Sequence, residues 1–325
     1  MPIKFRLNIK NLIIAVWVLS ISACHDSVKT KQNSKPNQGI RLFVLGTIQD
    51  GGSPHIGCKK LCCAHLFNTG NQSRKIVSLG LIDYTTKKTW LIEATPDITS
   101  QIYKLNKLAN FANKTTPDGI FITHAHIGHY AGLMYLGKEA LGAKAIPVFA
   151  MPRLKTYLET NGPWSQLVSQ NNIAISQLFS DSSIVLGKSF SITPLLVPHR
   201  DEYSETVGFV IKGPNKSALF IPDINKWAIW GKSIATEIKK VDYAFVDATF
   251  YDGNEISSRN ISEIPHPFVI ESLKLFASLS RQEKDKIHFI HFNHTNPLLN
   301  PSSKASQEVE RFGAHVAKIG QVFEL

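Results

Sequence analysis

The stretch Phe121-Ile122-Thr123-His124-Ala125-His126-Ile127-Gly128-His129-Tyr130-Ala131-Gly132-Leu133 joins an apolar strand to a helix start through three histidines. Residues two apart in an extended chain project to the same side, so His124 and His126 can grip one ion. His129, at the opening of the helix, reaches that ion or a neighbouring one. Imidazole is a usual neutral ligand of zinc, and a catalytic site leaves one position open for water. Leu133, Leu136 and Leu141 continue at helical spacing and predict a helix over 129–141.

The same arrangement, an apolar strand ending in a polar side chain, recurs downstream. His199 follows Leu195-Leu196-Val197-Pro198, Asp223 follows Leu219-Phe220-Ile221-Pro222, and His291 ends Ile287-His288-Phe289-Ile290. Strand ends are where an α/β scaffold gathers its chemistry. Strands are predicted over 40–45, 78–84, 89–93, 119–123, 146–150, 192–197, 207–212, 218–221, 243–246 and 287–291. Helices are predicted over 97–108, 152–159 and 262–278 as well as 129–141. The interleaving places the chain in the α/β or α+β class, without repeats. The stretches 161–183 and 249–266 read as loops that set the substrate.

The 325 residues include 43% apolar and 19% charged side chains, enough to bury a core and too few charges for a disordered chain. Lys and Arg number 36 against 25 Asp and Glu. Removing Lys4, Arg6 and Lys10 with a leader still leaves a positive excess, which suits a small anionic substrate or a membrane surface. The basic residues are scattered and form no stripe with aromatics, so no nucleic-acid partner is expected.

Lys4, Arg6 and Lys10 precede the apolar run 12–19 and the segment Ile21-Ser22-Ala23-Cys24. The run is too short to span a bilayer and reads as a signal peptide over 1–23. The segment resembles the lipobox of bacterial lipoproteins, which implies cleavage before Cys24, lipid on its thiol and a place in the cell envelope, periplasmic or at the outer membrane. Residues 24–39 read as a polar tether, and 40–325 as the folded domain. Of four cysteines, three then remain, in Cys58-Lys59-Lys60-Leu61-Cys62-Cys63. Two readings stay open: a metal site needing a fourth ligand from elsewhere, or one local disulfide and a free thiol.

Taken together, the residues resemble the metallo-β-lactamase fold superfamily, over about 40–325. That family carries His-x-His-x-Asp-His after a strand, then His, Asp and a final His at later strand ends. The resemblance implies an αββα sandwich and a metal centre of His124, His126, His129, His199, Asp223 and His291. Within the superfamily the chain looks like the branch of pyrroloquinoline-quinone biosynthesis B proteins and phosphonate-pathway cyclic phosphodiesterases. The shared features are Leu45-Gly46 to Gly52-Ser53-Pro54, Thr95-Pro96-Asp97 and 289–297. The phosphodiesterases pair three early cysteines with a His three residues beyond the final active-site His. That match implies a structural zinc on Cys58, Cys62, Cys63 and His294, although the cysteine spacing differs.

Gly128 stands where the family has Asp. That departure leaves the first site its three imidazoles, His124, His126 and His199. It leaves the second at most His129, a bridging Asp223 and His291, and predicts weaker occupancy there. The expected activity is metal-dependent hydrolysis of an anionic ester such as a phosphodiester, with one or two zinc ions in the centre and iron or manganese as other candidates. Asp223 or His266, which lies between Pro265 and Pro267, would handle protons. His55 could face the pocket or the thiolates, and Glu93 and Asp247 read as supporting residues. Two rivals remain: an oxidative role in cofactor biosynthesis, and a lipoprotein that binds metal or ligand without catalysis.

Overall fold

A computed structural model describes Met1 and residues 38–69, 73–255 and 263–325. The signal peptide, Cys24, the tether up to residue 37 and the helix start at Ser262 lie outside the described residues. Seven strands form one sheet: β1 (Ile40–Gly46), β2 (Ser78–Asp83), β3 (Lys88–Ile92), β4 (Gly119–Phe121), β5 (Ile146–Ala150), β6 (Ile173–Gln177) and, at the far end of the chain, Val322–Glu324. The other seven form a second: β7 (Ile184–Gly187), β8 (Phe190–Leu196), β9 (Val207–Lys212), β10 (Ser217–Ile221), β11 (Tyr243–Asp247), β12 (Ile287–Ile290) and β13 (His315–Val316). The terminal strand, β14, pairs antiparallel with β1. Each sheet is antiparallel at one end and parallel at the other: β3 to β6 run parallel, as do β10 to β13.

The strands are apolar at consecutive positions because both faces are covered. In β10, Ala218 and Phe220 point between the sheets, while Leu219 and Ile221 point to the outer helices. In β1, Leu42 and Val44 point inward, and Phe43 and Leu45 outward. The inner layer joins Trp90, Ile92 and Phe121 of one sheet to Phe190, Phe209 and Phe220 of the other. Helices α1 (Leu61–Thr69), α2 (Ile98–Ala109), α3 (Ile127–Tyr130), α4 (Pro152–Thr160) and α5 (Trp164–Ser169) follow strands of the first sheet, and α6 (Ile234–Lys239), α7 (Val269–Leu275), α8 (Arg281–Lys284) and α9 (Lys304–Phe312) those of the second. Residues of α2, α4 and α5 cover the first sheet, and residues of α6, α7 and α9 the second. This is the αββα sandwich.

Three expectations are corrected. The helix over 129–141 is only α3 followed by a 3-10 turn ending at Leu136. Gly132 N–H donates to Ala94 O (2.8 Å) and Ala94 N–H to His129 O (2.8 Å), so the strand end takes bonds that an α-helix needs. A Cβ on Gly132 would stand 2.0 Å from Thr95 O, and this close docking requires glycine. The helix expected over 262–278 begins at Val269, because Pro265 and Pro267 resist helical continuation at their predecessors. The stretch 161–183 is not a plain loop, since α5 and β6 occupy it. Its apolar residues are too few for a visible period.

His288 in β12 is buried between the rings of Phe245 (5.2 Å) and His315 (4.9 Å), and its Nδ1 has no hydrogen-bond partner. Burial, then the neighbouring His315, pushes its pKa down to about 3. The folded state therefore favours neutral imidazole; its contribution is complete above the unfolded value of about 6.5 and is lost as pH falls from there toward 3. Urea melts should show wild type losing up to about 1.4 kcal/mol more per pH unit than His288→Phe between pH 6 and 4. Parallel pH profiles for the two proteins would refute this.

Candidate metal centre

The centre forms where C-terminal strand ends of both sheets meet. His124, His126 and His129 leave β4, His199 follows β8, Asp223 follows β10, and His291 follows β12. Asp223, 3% exposed, is the hub. Its Oδ2 lies 3.4 Å from His124 Nε2, 3.2 Å from His199 Nε2, 4.0 Å from His126 Nδ1 and 3.9 Å from both His129 Nε2 and His291 Nε2. Two overlapping donor groups result, His124–His126–His199–Asp223 and Asp50–His129–Asp223–His291, each with its ligand atoms within 4.8 Å of one another.

Asp50 is the residue that sequence reasoning missed. The second group was expected to hold at most three side chains and holds four. Asp50 Oδ1, from the loop after β1, is 3.0 Å from His129 Nε2 and 3.5 Å from His291 Nε2. The available signal was an acidic residue directly before Gly51-Gly52, a pair that permits a tight loop.

The outer nitrogens of His124, His199 and His291 are hydrogen-bonded, which selects the atoms that face inward. Thr123 Oγ1 is 2.8 Å from His124 Nδ1 and donates to Glu93 Oε1 at 2.6 Å. Glu93 Oε1 is also 3.2 Å from His129 Nδ1. Asn225 Oδ1 is 3.1 Å from His199 Nδ1, and Thr249 Oγ1 is 2.9 Å from His291 Nδ1. Asp247 accepts from the Thr249 hydroxyl (2.7 Å) and the Ile224 N–H (3.1 Å). Glu93 and Asp247 thus support the ligands, although Asp247 also groups with Asp223 and His266. Glu93 (φ 74°) and His291 (φ 70°) hold left-handed backbone, strain of about 1–3 kcal/mol each that the packed core imposes.

The inward atoms fit a metal. Nε2 of both His199 and His291 is buried without a hydrogen-bond partner, a costly condition that a cation relieves. The charges also point to one. Burial opposes ionisation of Asp223, yet His199, His266 and His291 hold its carboxyl well below the usual carboxylate range. Asp50 behaves likewise against burial, through His129 and then His291. Burial and the charge of His129 push His124 well down, keeping its ring neutral, while Asp50 and Glu93 overcome burial and raise His129.

His266 enters the same centre. Its Nδ1 is 2.9 Å from Asp247 Oδ2 and 3.2 Å from Asp223 Oδ1, and against burial these carboxylates raise its pKa to about 10. It lines an open cleft of ≈ 760 Å³ together with Gln49, His55, Lys60, Arg200 and Thr249. His55 stacks on His294 at 4.5 Å and belongs to no donor group.

The three remaining cysteines are free thiols, and they converge on His294. Cys62 Sγ lies 3.8 Å from Cys58 Sγ and 3.9 Å from Cys63 Sγ; His294 Nδ1 lies 3.5 Å from Cys62 Sγ and 3.3 Å from Cys63 Sγ. A tetrahedral ion with metal–sulfur bonds near 2.3 Å and a metal–nitrogen bond near 2.05 Å needs edges of about 3.8 and 3.5 Å. The local-disulfide reading is therefore set aside. Burial and the neighbouring thiols push Cys62 up to about 12.

A family model described as "Beta-lactamase superfamily domain" matches residues 88–292. Coenzyme PQQ synthesis protein B of Klebsiella pneumoniae (strain 342) is 24% identical over 309 residues, 87% of this chain and 98% of that protein. The crystal structure of Zn(2+)-bound PqqB from Methylobacterium extorquens has a TM-score of 0.72 at 20% identity, over 88% of this chain and 100% of that one. A diphosphatase from the PhnP family has a TM-score of 0.58 at 20% identity, over 88% and 97%.

Cys63 is fully buried, so Cys63→Ser should lose one metal equivalent per chain, counted by elemental mass spectrometry, and melt several degrees lower. An unchanged count would remove the thiolate cluster from the metal sites.

Proposed function

This chain belongs to the beta-lactamase superfamily, and on that premise we propose that it is a metal-dependent hydrolase of small anionic esters, phosphodiesters among them. The observation that carries the reading is the set of buried, inward-facing ligand atoms around Asp223, with His266, which contacts Asp223, lining the adjacent cleft. Zinc suits the nitrogen and sulfur donors, one or two ions in the centre and one on the thiolates; iron or manganese would also accept the His and Asp donors.

When bound, a divalent ion supplies Lewis acidity and makes water a nucleophile at neutral pH, lowering its pKa from about 15.7 toward 7. The chain's own residues do the rest. Thr123, Asn225 and Thr249 fix ring orientation from behind, and Asp223 sets the two donor groups side by side. Lys60 and Arg200, both exposed at a cleft that Glu255 and Glu263 also line, are the groups that would orient an anion there. His266, gripped at Nδ1 by Asp247 and Asp223, has its other nitrogen for the departing oxygen and is the candidate general acid. Asp223, the other proton-handling candidate, is better placed to hold metal than to move protons.

A second reading follows from the resemblance to coenzyme PQQ synthesis protein B over most of both chains: a role in cofactor biosynthesis, with oxidative chemistry if the three-imidazole site held a redox metal. The non-catalytic reading, motivated by Gly128, is weakened by the carboxylate of Asp50 in that space.

Elemental analysis and a panel of phosphodiesters and other anionic esters test the proposal. His124→Ala with His126→Ala should lose at least one metal equivalent and lower hydrolysis by about 10³ or more, whereas His266→Asn should keep its metals and lose about 10²–10⁴ in kcat. Wild type inert on the whole panel and carrying iron or copper would favour the oxidative reading. We further propose lipid attachment at Cys24 and a place in the cell envelope. A radiolabelled fatty acid should enter wild type and not Cys24→Ser; equal labelling would refute the anchor.

A further inference from the structure

The geometry points to Asp50 as the carboxylate ligand of a second metal ion, standing in from the loop after β1 for the side chain that Gly128 lacks. The inference rests on the metallohydrolase reading and deepens it.

Space is the first argument. A Cβ built on Gly128 would lie 2.6 Å from Asp50 Cα, 2.7 Å from its Cγ and 2.7 Å from its Oδ1. Real Cβ atoms do not approach so closely, so a side chain at 128 and the observed loop exclude each other. The volume next to His129 that a carboxylate on α3 would fill is taken by a carboxylate from another part of the chain. Gly128 is thus the glycine that lets Asp50 in.

Distance is the second argument. Ligand atoms about 2.1 Å from one ion stand about 3.0–3.4 Å apart in octahedral or tetrahedral arrangement. Asp50 Oδ1 meets His129 Nε2 at 3.0 Å and His291 Nε2 at 3.5 Å, near that spacing, whereas Asp223 Oδ2, shared with the first group, lies farther off at 3.9 Å from each of those nitrogens. Two imidazoles and two carboxylates make a complete donor set for a divalent ion, and His291 Nε2 has no hydrogen-bond partner without one.

The loop is built to hold this position. Gln49 N–H donates to Phe292 O (2.9 Å) and Phe292 N–H to Thr47 O (2.8 Å), tying the chain beside Asp50 to the residue after His291. Gly52 N–H donates to Gln49 O (2.9 Å), and Gly52, at φ 73°, turns the chain back. Farther along the same loop, Cys58 meets the group that contains His294. The two segments that bring Asp50 and His291 together are therefore joined on both sides of the centre.

The test is metal binding by the full-length protein, with cobalt as the probe. Wild type should bind three ions per chain: one with a thiolate-to-cobalt charge-transfer band, and two without it. Asp50→Asn preserves size and removes charge. It should keep the thiolate band and one further ion, and bind the remaining equivalent at least 100-fold more weakly in competition with a chelator. Asp50→Glu keeps a carboxylate on the loop and should hold that equivalent to within tenfold of wild type. An Asp50→Asn protein that binds all three ions within threefold of wild type would overturn the assignment, as would a wild type with one ion in the centre. If Asp50→Asn loses the thiolate band as well, Asp50→Glu decides: three ions support the assignment, and two or fewer overturn it. A wild type with no ion in the centre would instead defeat the metallohydrolase reading itself.

Discussion

A carboxylate held out of water among imidazoles is the constraint around which the molecule is organised. Asp223 is almost fully buried and lies within 4.0 Å of a ring nitrogen on His124, His126, His129, His199, His266 and His291. Such a cluster is expensive in a dry interior, because each polar atom has surrendered hydration and several have no hydrogen bond in return. The fold tolerates it by fixing the rings through Thr123, Asn225, Thr249, Glu93 and Asp247. A cation at the centre turns that cost into coordination.

The sandwich makes the cluster attainable. Two sheets packed through Trp90, Phe121, Phe190, Phe209 and Phe220 bring strand ends from both halves of the chain to one rim. The polar residues stand just beyond the apolar runs, so the strands end in hydrophobic packing and the chemistry begins one to three residues later. Glu93 and His291, both fully buried, hold left-handed backbone that non-glycine residues seldom adopt, which fits a tightly determined rim.

The thiolate cluster and the centre belong to one mechanical unit. The loop after β1 carries Asp50, Cys58 and, as it enters α1, Cys62 and Cys63; the segment after β12 carries His291 and His294. Backbone hydrogen bonds between Gln49, Thr47 and Phe292 join the two near the centre, and the sulfurs and His294 join them farther out. Stability at one cluster therefore bears on geometry at the other, and the loop is confined although it has no regular structure up to Leu61.

Much of this was legible from residue order. The alternation and length of the apolar runs marked most strands, and a histidine or aspartate after each of four runs marked the metal centre, because those signals are local and periodic. The sequence by itself marked six of the candidate ligands, five histidines and Asp223, and set cysteines 58, 62 and 63 beside them as a metal site or a local disulfide; it did not mark Asp50. Tertiary structure alone decided how they group. Asp50 and His129 are 79 residues apart, and no spacing rule links a loop carboxylate to a glycine on a distant turn. The shortened helix after His129 has the same origin: Gly132 spends its N–H on Ala94 of another strand end, a bond invisible to a pattern of leucines. His266 was legible only as a proton-handling candidate between two prolines, and its place in the centre was decided when folding brought Asp247 and Asp223 against its ring. Local pattern reports which faces are buried, whereas ligand geometry depends on contacts between segments far apart in the chain, and those exist only once the two sheets have closed on each other.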